Sequence, residues 1–242
     1  MTSDIVEVWL IGTDVSNSVL AELEALLDGD ERERASTLLY PARRRQFVAA
    51  HGAVRVILGR RMDVSPESLR WRRGPHGKPE LAGSGPQVSL SKSGSLAALA
   101  IAADRRVGVD IQRLLAHLDV TRMARRFYPP EEARFVSEAA GSDEQAERFT
   151  RLWARKEACV KVSGGRLLPG LRLTVRPAGA VRATCAAGAD LAGSPASEYL
   201  VRDLRVPRGY RAAVAAEGSD HFSITRHAMY LGQRRYQLQP TE

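Results

Sequence analysis

Phe149–Lys161 reads FTRLWARKEACVK. Its apolar residues recur at helical spacing, which predicts the second part of a helix over Asp143–Ser163. Trp153, Glu157 and Lys161 stand at i, i+4 and i+8 and therefore form one stripe. A carboxylate and an ammonium one turn apart are most often a surface ion pair, worth roughly 0.3–0.5 kcal/mol. The alternative is a metal-binding carboxylate beside a phosphate-binding lysine. A second acid lies upstream in Gly108-Val109-Asp110-Ile111-Gln112, at the end of a short apolar strand expected over Val107–Ile111. Strand alternation puts Asp110 and Gln112 on one side. Alone, Asp110 is an ordinary strand-end acid. If it converges with Glu157, two carboxylates and a diphosphate would suit Mg²⁺, which takes oxygen ligands and keeps part of its shell for water and substrate phosphates.

Working outward, the spacing predicts helices over Thr121–Phe127 and Pro130–Ala139. Strands are expected at Leu171–Arg176, Tyr199–Val206 and Tyr210–Ala216, the last two joined by Pro207-Arg208-Gly209. Towards the start come a strand at Ile5–Ile11 and helices at Ser18–Leu27 and Ala42–Arg61. A Gly- and Pro-rich loop follows at Arg73–Pro79. Strands Val88–Leu90 and Leu96–Ala102 are expected to join across Ser91-Lys92-Ser93-Gly94. The alanine-rich Leu96–Ala102 resembles Arg211–Ala216 about 110 residues later. The expectation is an α+β fold with two similar halves, residues 1–104 and 105–219, followed by a polar, basic surface tail, 220–242.

The 242 residues are 44% hydrophobic and 6% aromatic, a composition of globular domains. No apolar run reaches the ~18 residues of a membrane span, so no membrane partner is expected. The start, MTSDIVEVWLIG, lacks a basic segment before a long apolar core. Cys159 and Cys185 are accordingly expected as reduced thiols in the cytoplasm. The net charge of +8 favours an anionic partner. The basic residues are dispersed, however, and no zinc finger, RNP-like strand or concentrated stripe points to nucleic acid. Of the 36 basic residues only four are lysine: Lys78, Lys92, Lys156 and Lys161. In so arginine-rich a chain, a retained lysine marks a place where a compact ammonium is preferred to a planar fork.

Gly108-Val109-Asp110 and Trp153–Lys161 resemble the two signatures of the 4'-phosphopantetheinyl transferase superfamily, with a similar separation. Gly77-Lys78-Pro79 resembles its GKP loop, and Ser89-Leu90-Ser91-Lys92-Ser93-Gly94 a segment that usually contains Ser-His-Ser. Arg32-Glu33-Arg34 before a basic helix resembles its N-terminal region. All four lysines fall within these motifs. The two-half length is similar to the monomeric Sfp-type branch, which serves polyketide and nonribosomal peptide synthetases.

The resemblance implies that phosphopantetheine passes from coenzyme A to a serine of an acidic acyl or peptidyl carrier protein, releasing 3',5'-ADP, with coenzyme A held between pseudo-symmetric halves. It implies Asp110, Glu157 and Gln112 as Mg²⁺ ligands, Glu157 also as general base and Lys161 as partner of the α-phosphate. Lys78, Ser91, Lys92, Ser93 and Lys156 would bind the cofactor beside Lys161, with Arg34 and Arg45 as further phosphate contacts. Two departures stand out. Gln112 replaces a common Glu, keeping an oxygen but no charge. Lys92 replaces the usual His, and lysine keeps its charge across neutral pH where histidine titrates near 6.5. The competing readings are a Mg²⁺-dependent nuclease or phosphatase using Asp110, Glu157 and Lys161, and a basic nucleic-acid-binding protein. No G-x-S-x-G elbow and no Cys or His pair for zinc is present.

Overall fold

A computed structural model describes residues 5–74, 77–115, 118–164, 170–175, 181–183, 198–218, 220–231 and 237–240, and in 181–183 and 237–240 the backbone only. The chain begins with β1 (Ile5–Gly12), α1 (Asn17–Ala25), α2 (Gly29–Ser36) and α3 (Pro41–Met62). A short 3-10 turn (Pro66–Ser68), β2 (Trp71–Arg73), β3 (Pro79–Leu81), β4 (Gln87–Ser93), β5 (Leu96–Ala102) and β6 (Val107–Arg113) follow. Then come α4 (Val120–Phe127), α5 (Pro130–Ser137), α6 (Ser142–Ser163), β7 (Val181–Ala183), β8 (Tyr199–Leu204), β9 (Tyr210–Glu217), β10 (Ser223–Tyr230) and β11 (Gln237–Pro240). Among the described residues no helix is long and apolar enough to cross a membrane.

Local chemistry places the helix ends. Asp28 and Glu31 form a reciprocal capping box that starts α2. Pro41 opens α3, where its missing N–H is no loss. Gly164, at φ 73°, closes α6 in the left-handed region that glycine enters at no steric cost.

The strands form a five-stranded sheet, ordered β11-β10-β1-β5-β4, a four-stranded sheet, ordered β6-β9-β8-β7, and a β2-β3 hairpin. Period-2 alternation along the sheets builds three layers of core. Trp9, Ile11, Ala97, Leu99 and Ile101 pack against α3. Ala213, Ala215, Tyr199 and Val201 pack with α4, α5 and α6. Between the sheets, Val6, Val8, Ala98 and Ala100 meet Val109, Ile111, Ala212 and Val214. The alanine-rich β5 and β9 thus feed the same interface from opposite sides, and their small side chains suit the facing of two sheets.

The edge strands β4 and β6 of the two sheets also meet. The odd-numbered serines of β4 turn towards β6: Ser89 Oγ accepts from Val109 N at 3.1 Å and Ser93 Oγ from Arg113 N at 3.0 Å. Ser91 Oγ donates to Asp110 Oδ1 at 2.7 Å. Hydroxyls here do what a backbone ladder does inside a sheet.

Several sequence expectations need correction. Ser91-Lys92-Ser93 is not a turn; β4 runs through Ser93 and the reversal falls at Gly94, φ 57°. Arg73 and Pro79 end the paired strands of a hairpin rather than lying in a plain loop, and residues 75 and 76 lie outside the described residues. Gly170–Val175 is not a strand; Leu171, Leu173 and Val175 alternate because they plug into the helical core. Arg176 is not among the described residues. The segment from Asp220 is not a surface tail: β10 pairs in parallel with β1 from Ile5↔Ser223 to Ile11↔Met229, burying Ala228 and Met229.

Candidate functional site

The site is built where β6 crosses α6. A Cβ on Gly108 would lie 2.0 Å from the Ala158 carbonyl oxygen and 2.7 Å from Val162 N, so only glycine lets the backbones approach this closely. This contact brings Asp110, two residues further along β6, beside the stripe of α6 that carries Glu157 and Lys161. Lys161 Nζ donates to Asp110 Oδ1 at 2.6 Å and to Ser91 Oγ at 2.9 Å. The two sequence signatures and the serine segment therefore converge on one cluster.

Asp110 is 4% exposed. Its Oδ1 is shared by Ser91 and Lys161, whereas its buried Oδ2 has no hydrogen-bond partner among the described residues. Burial raises the pKa of Glu157 and the neighbouring Asp110 charge raises it further, with Lys161 opposing both. A buried, unpartnered carboxylate oxygen beside a second carboxylate is costly unless a cation joins them. A hard divalent cation such as Mg²⁺ matches that donor chemistry. Gln112 is partly exposed on the same side of β6 and could add an amide oxygen. Among the described residues there is no cluster of three or more acidic, His or Cys side chains, so the rest of an octahedron would fall to water and substrate oxygens.

Glu157 and Lys161 open into a cleft of about 490 Å³. Its walls are α2, α3, the β2-β3 hairpin, β4 and the end of α6. Cations dominate the rim: Arg34, Arg72, Arg73, Lys78, Lys92 and Lys161. Phe47, Val54, Trp71 and Val88 supply an apolar side. Such a cavity suits an elongated ligand with an anionic end and an apolar or aromatic part. Lys92 Nζ sits 5.3 Å above the Phe47 ring, against which His51 also stacks at 3.9 Å. Desolvation lowers the pKa of Lys92, and the positive charges of Arg34 and Lys161 lower it further, as expected for like charges gathered in one cleft.

Two acids of the cleft, Asp28 and Glu31, are engaged by buried or half-buried cationic and imidazole partners. Glu31 binds His51 at 3.1 Å and Arg55 Nε at 2.6 Å, and Arg55, fully buried, also binds Asp28 and the carbonyls of Pro66 and Leu69. The sequence reading missed this network and the acidic, aromatic and His51 lining, although Asp28-x-x-Glu31 is a legible capping signal and Phe47 and His51 stand at i, i+4.

Of the residues expected at the site, Asp110, Glu157, Lys161, Lys92, Lys78 and Arg34 come together around the cluster and cleft. The hydroxyls of Ser91 and Ser93 bridge to β6. Two expected residues are elsewhere. Lys156 is fully buried, pairs with Glu132 at 2.5 Å, donates to the Leu173 carbonyl and lies 4.7 Å from the Tyr128 ring. Adjacent positions on a helix point about 100° apart, so Glu157 in the cleft puts Lys156 in the core. Arg45 donates to Asn17 Oδ1 at 2.6 Å and the Val15 carbonyl at 2.7 Å, tying α3 to the start of α1 and the segment before it.

Comparison with known proteins bears on the same elements. Residues 106–215, which contain β6, α6 and most of β9, match the pattern of the 4'-phosphopantetheinyl transferase superfamily. The 4'-phosphopantetheinyl transferase HetI of Nostoc sp. is 36% identical over 169 residues, covering 68% of this chain and 70% of HetI. A phosphopantetheinyl transferase of Thraustochytrium sp. is 29% identical over 175 residues, covering 66% of this chain and 61% of the relative. The 4'-phosphopantetheinyl transferase AcpT of Escherichia coli K12 is 33% identical over 114 residues, covering 47% and 56%.

Proposed function

The chain belongs to the 4'-phosphopantetheinyl transferase superfamily, and from that premise we propose that it is an Sfp-type, Mg²⁺-dependent member that modifies acyl or peptidyl carrier proteins of polyketide or nonribosomal peptide synthesis. The observation that carries this reading is the Asp110–Glu157–Lys161 cluster, with an unpartnered buried carboxylate oxygen, at one end of a cation-rimmed cleft. Two features support a two-half architecture with coenzyme A between the halves. Each sheet is covered on its outer face by a 22-residue helix, α3 or α6, and the cleft draws walls from both.

In this reading Asp110 and Glu157 hold Mg²⁺, with Gln112 contributing a neutral oxygen. Mg²⁺ bound by these residues would supply Lewis-acid neutralisation of phosphate charge. Ser91 and Lys161 fix the rotamer of Asp110 and aim its free oxygen. Glu157, whose proton affinity is raised by burial and by Asp110, takes the proton of the carrier serine. Lys161 sits beside both carboxylates and follows the charge that develops on the departing 3',5'-ADP. Lys92, with Arg34 nearby, binds the 3'-phosphate. The surplus of +8 on the chain favours an acidic carrier.

Intact mass spectrometry of apo carrier proteins incubated with this protein, coenzyme A and Mg²⁺ tests the reading. The expected result is a carrier heavier by one phosphopantetheine, with 3',5'-ADP appearing only when carrier is present. Asp110→Ala and Glu157→Ala should abolish the gain while circular dichroism stays native. Release of 3',5'-ADP without any carrier would instead make the protein a hydrolase.

A further inference from the structure

Lys78 comes from the β2-β3 hairpin and lines the cleft, yet its ammonium is engaged by main-chain carbonyls of β6 and α6. Nζ donates to the Val107 carbonyl at 2.8 Å and to the Val162 carbonyl at 3.2 Å. Val107 opens β6, and Val162 lies in the last turn of α6, where carbonyls have no partner within the helix. A cation there also meets the negative end of the helix dipole. Between these two carbonyls lies the Gly108–Ala158 contact. The strand then runs on to Asp110, and the helix runs back to Lys161 and Glu157. One ammonium therefore ties strand to helix on one side of the crossing, and the Lys161–Asp110–Ser91 cluster ties it on the other.

The surroundings of Lys78 fit a tie between backbones better than an anion ligand. Its partners are neutral main-chain acceptors. Burial and the nearby Arg106 charge lower its pKa to about 8, with Glu80 and Glu217 opposing. Lys92 and Arg34, by contrast, have no side-chain acceptor among the described residues and face the cleft directly.

We propose that Lys78 is a positioning residue, which fixes the β6–α6 crossing and so the spacing of Asp110 from Glu157, and that it does not bind a substrate phosphate. This rests on the reading above, in which the two carboxylates act as a pair. The test compares wild type, Lys78→Met and Lys78→Arg. It measures kcat and KM with coenzyme A and with dephospho-coenzyme A, and amide hydrogen exchange over residues 107–112 and 157–162. Lys78→Met should lower kcat by roughly ten- to a hundredfold, the effect of misplacing reacting groups by about an ångström. It should leave the preference for coenzyme A over dephospho-coenzyme A unchanged and speed exchange in both segments. Lys78→Arg, which carries donors for both carbonyls, should restore kcat and protection. If Lys78→Met does not fold, Lys78→Gln, with one donating amide, takes its place and should fall between the other two. Collapse of the substrate preference would make Lys78 a phosphate ligand and overturn the proposal. So would unchanged kcat with unchanged exchange. If wild type transfers to no carrier, the functional reading falls, and the exchange measurement alone decides whether the tie exists.

Discussion

Asp110, Glu157 and Lys161 were legible in the sequence because the regular periods of strand and helix decide which way each side chain points. The same reasoning explains where reading by motif went astray. Lys156 belongs to the same run as Glu157 but faces the core, where the Glu132 carboxylate, brought by α5, and the Leu173 carbonyl make its burial tolerable. Gly108 is the residue on which the crossing depends. Gly108→Ala would place a methyl carbon 2.0 Å from a carbonyl oxygen in a helix that cannot yield. We expect a loss of at least ~1–3 kcal/mol by urea denaturation, and a loss of transfer larger than the unfolded fraction explains. At Lys92 the expectation concerns selectivity. Lys92→Ala should remove a charge-assisted contact of about 1.5–3 kcal/mol and shrink the preference for coenzyme A over dephospho-coenzyme A by roughly ten- to a hundredfold. The ratio of the two kcat/KM values reads this directly. Lys92→His should retain the preference near pH 6 and lose it towards pH 8, as imidazole becomes neutral.

Among the elements, β1, α1, α3, β5, β6, α4, α5, α6, β8 and β9 follow from apolar spacing. α2 does not, because it buries only Glu31 and Ala35 and has no apolar stripe; its cap is its sole local signal. The serines of β4 carry a lesson of the same kind. They stand in a recognisable segment, but their task depends on β6, about 20 residues away, whose backbone N–H groups they satisfy. Ser89→Ala should strand the Val109 N–H in a buried place, at ~1–3 kcal/mol. Thermal melting would register that loss. Ser91→Ala leaves those N–H groups paired and instead takes one hydrogen-bond partner each from Asp110 and Lys161, which stay paired with each other. Its effect should therefore appear in Mg²⁺ dependence more than in stability.

At the scale of the molecule, the chain returns to where it began. Trp9 in β1 stacks on His227 in β10 at 4.3 Å, and Met229 is fully buried in the core beneath α3. No local signal marks β10 as a sheet member, since it alternates only partly and its partner is the first strand. A chain stopped after Gly218 should leave the backbone edge of β1 open and its core short of Met229 and Leu231. We expect it to aggregate, with size-exclusion chromatography showing the change from the full chain.

The parallel pairing of β1 with β10 also imposes an order on biosynthesis. The ribosome delivers β1 early, but its neighbour across this ladder emerges only after the other long strands of both sheets and the six α-helices of the described residues. All the strands of the second sheet precede β10 in the chain, whereas the first sheet cannot be completed until β10 is free of the exit tunnel. Until then the nascent chain carries an open strand edge, the state in which a holding chaperone or a stray strand finds its footing. The sheet that holds the early strand β1 is therefore the sheet that is completed last.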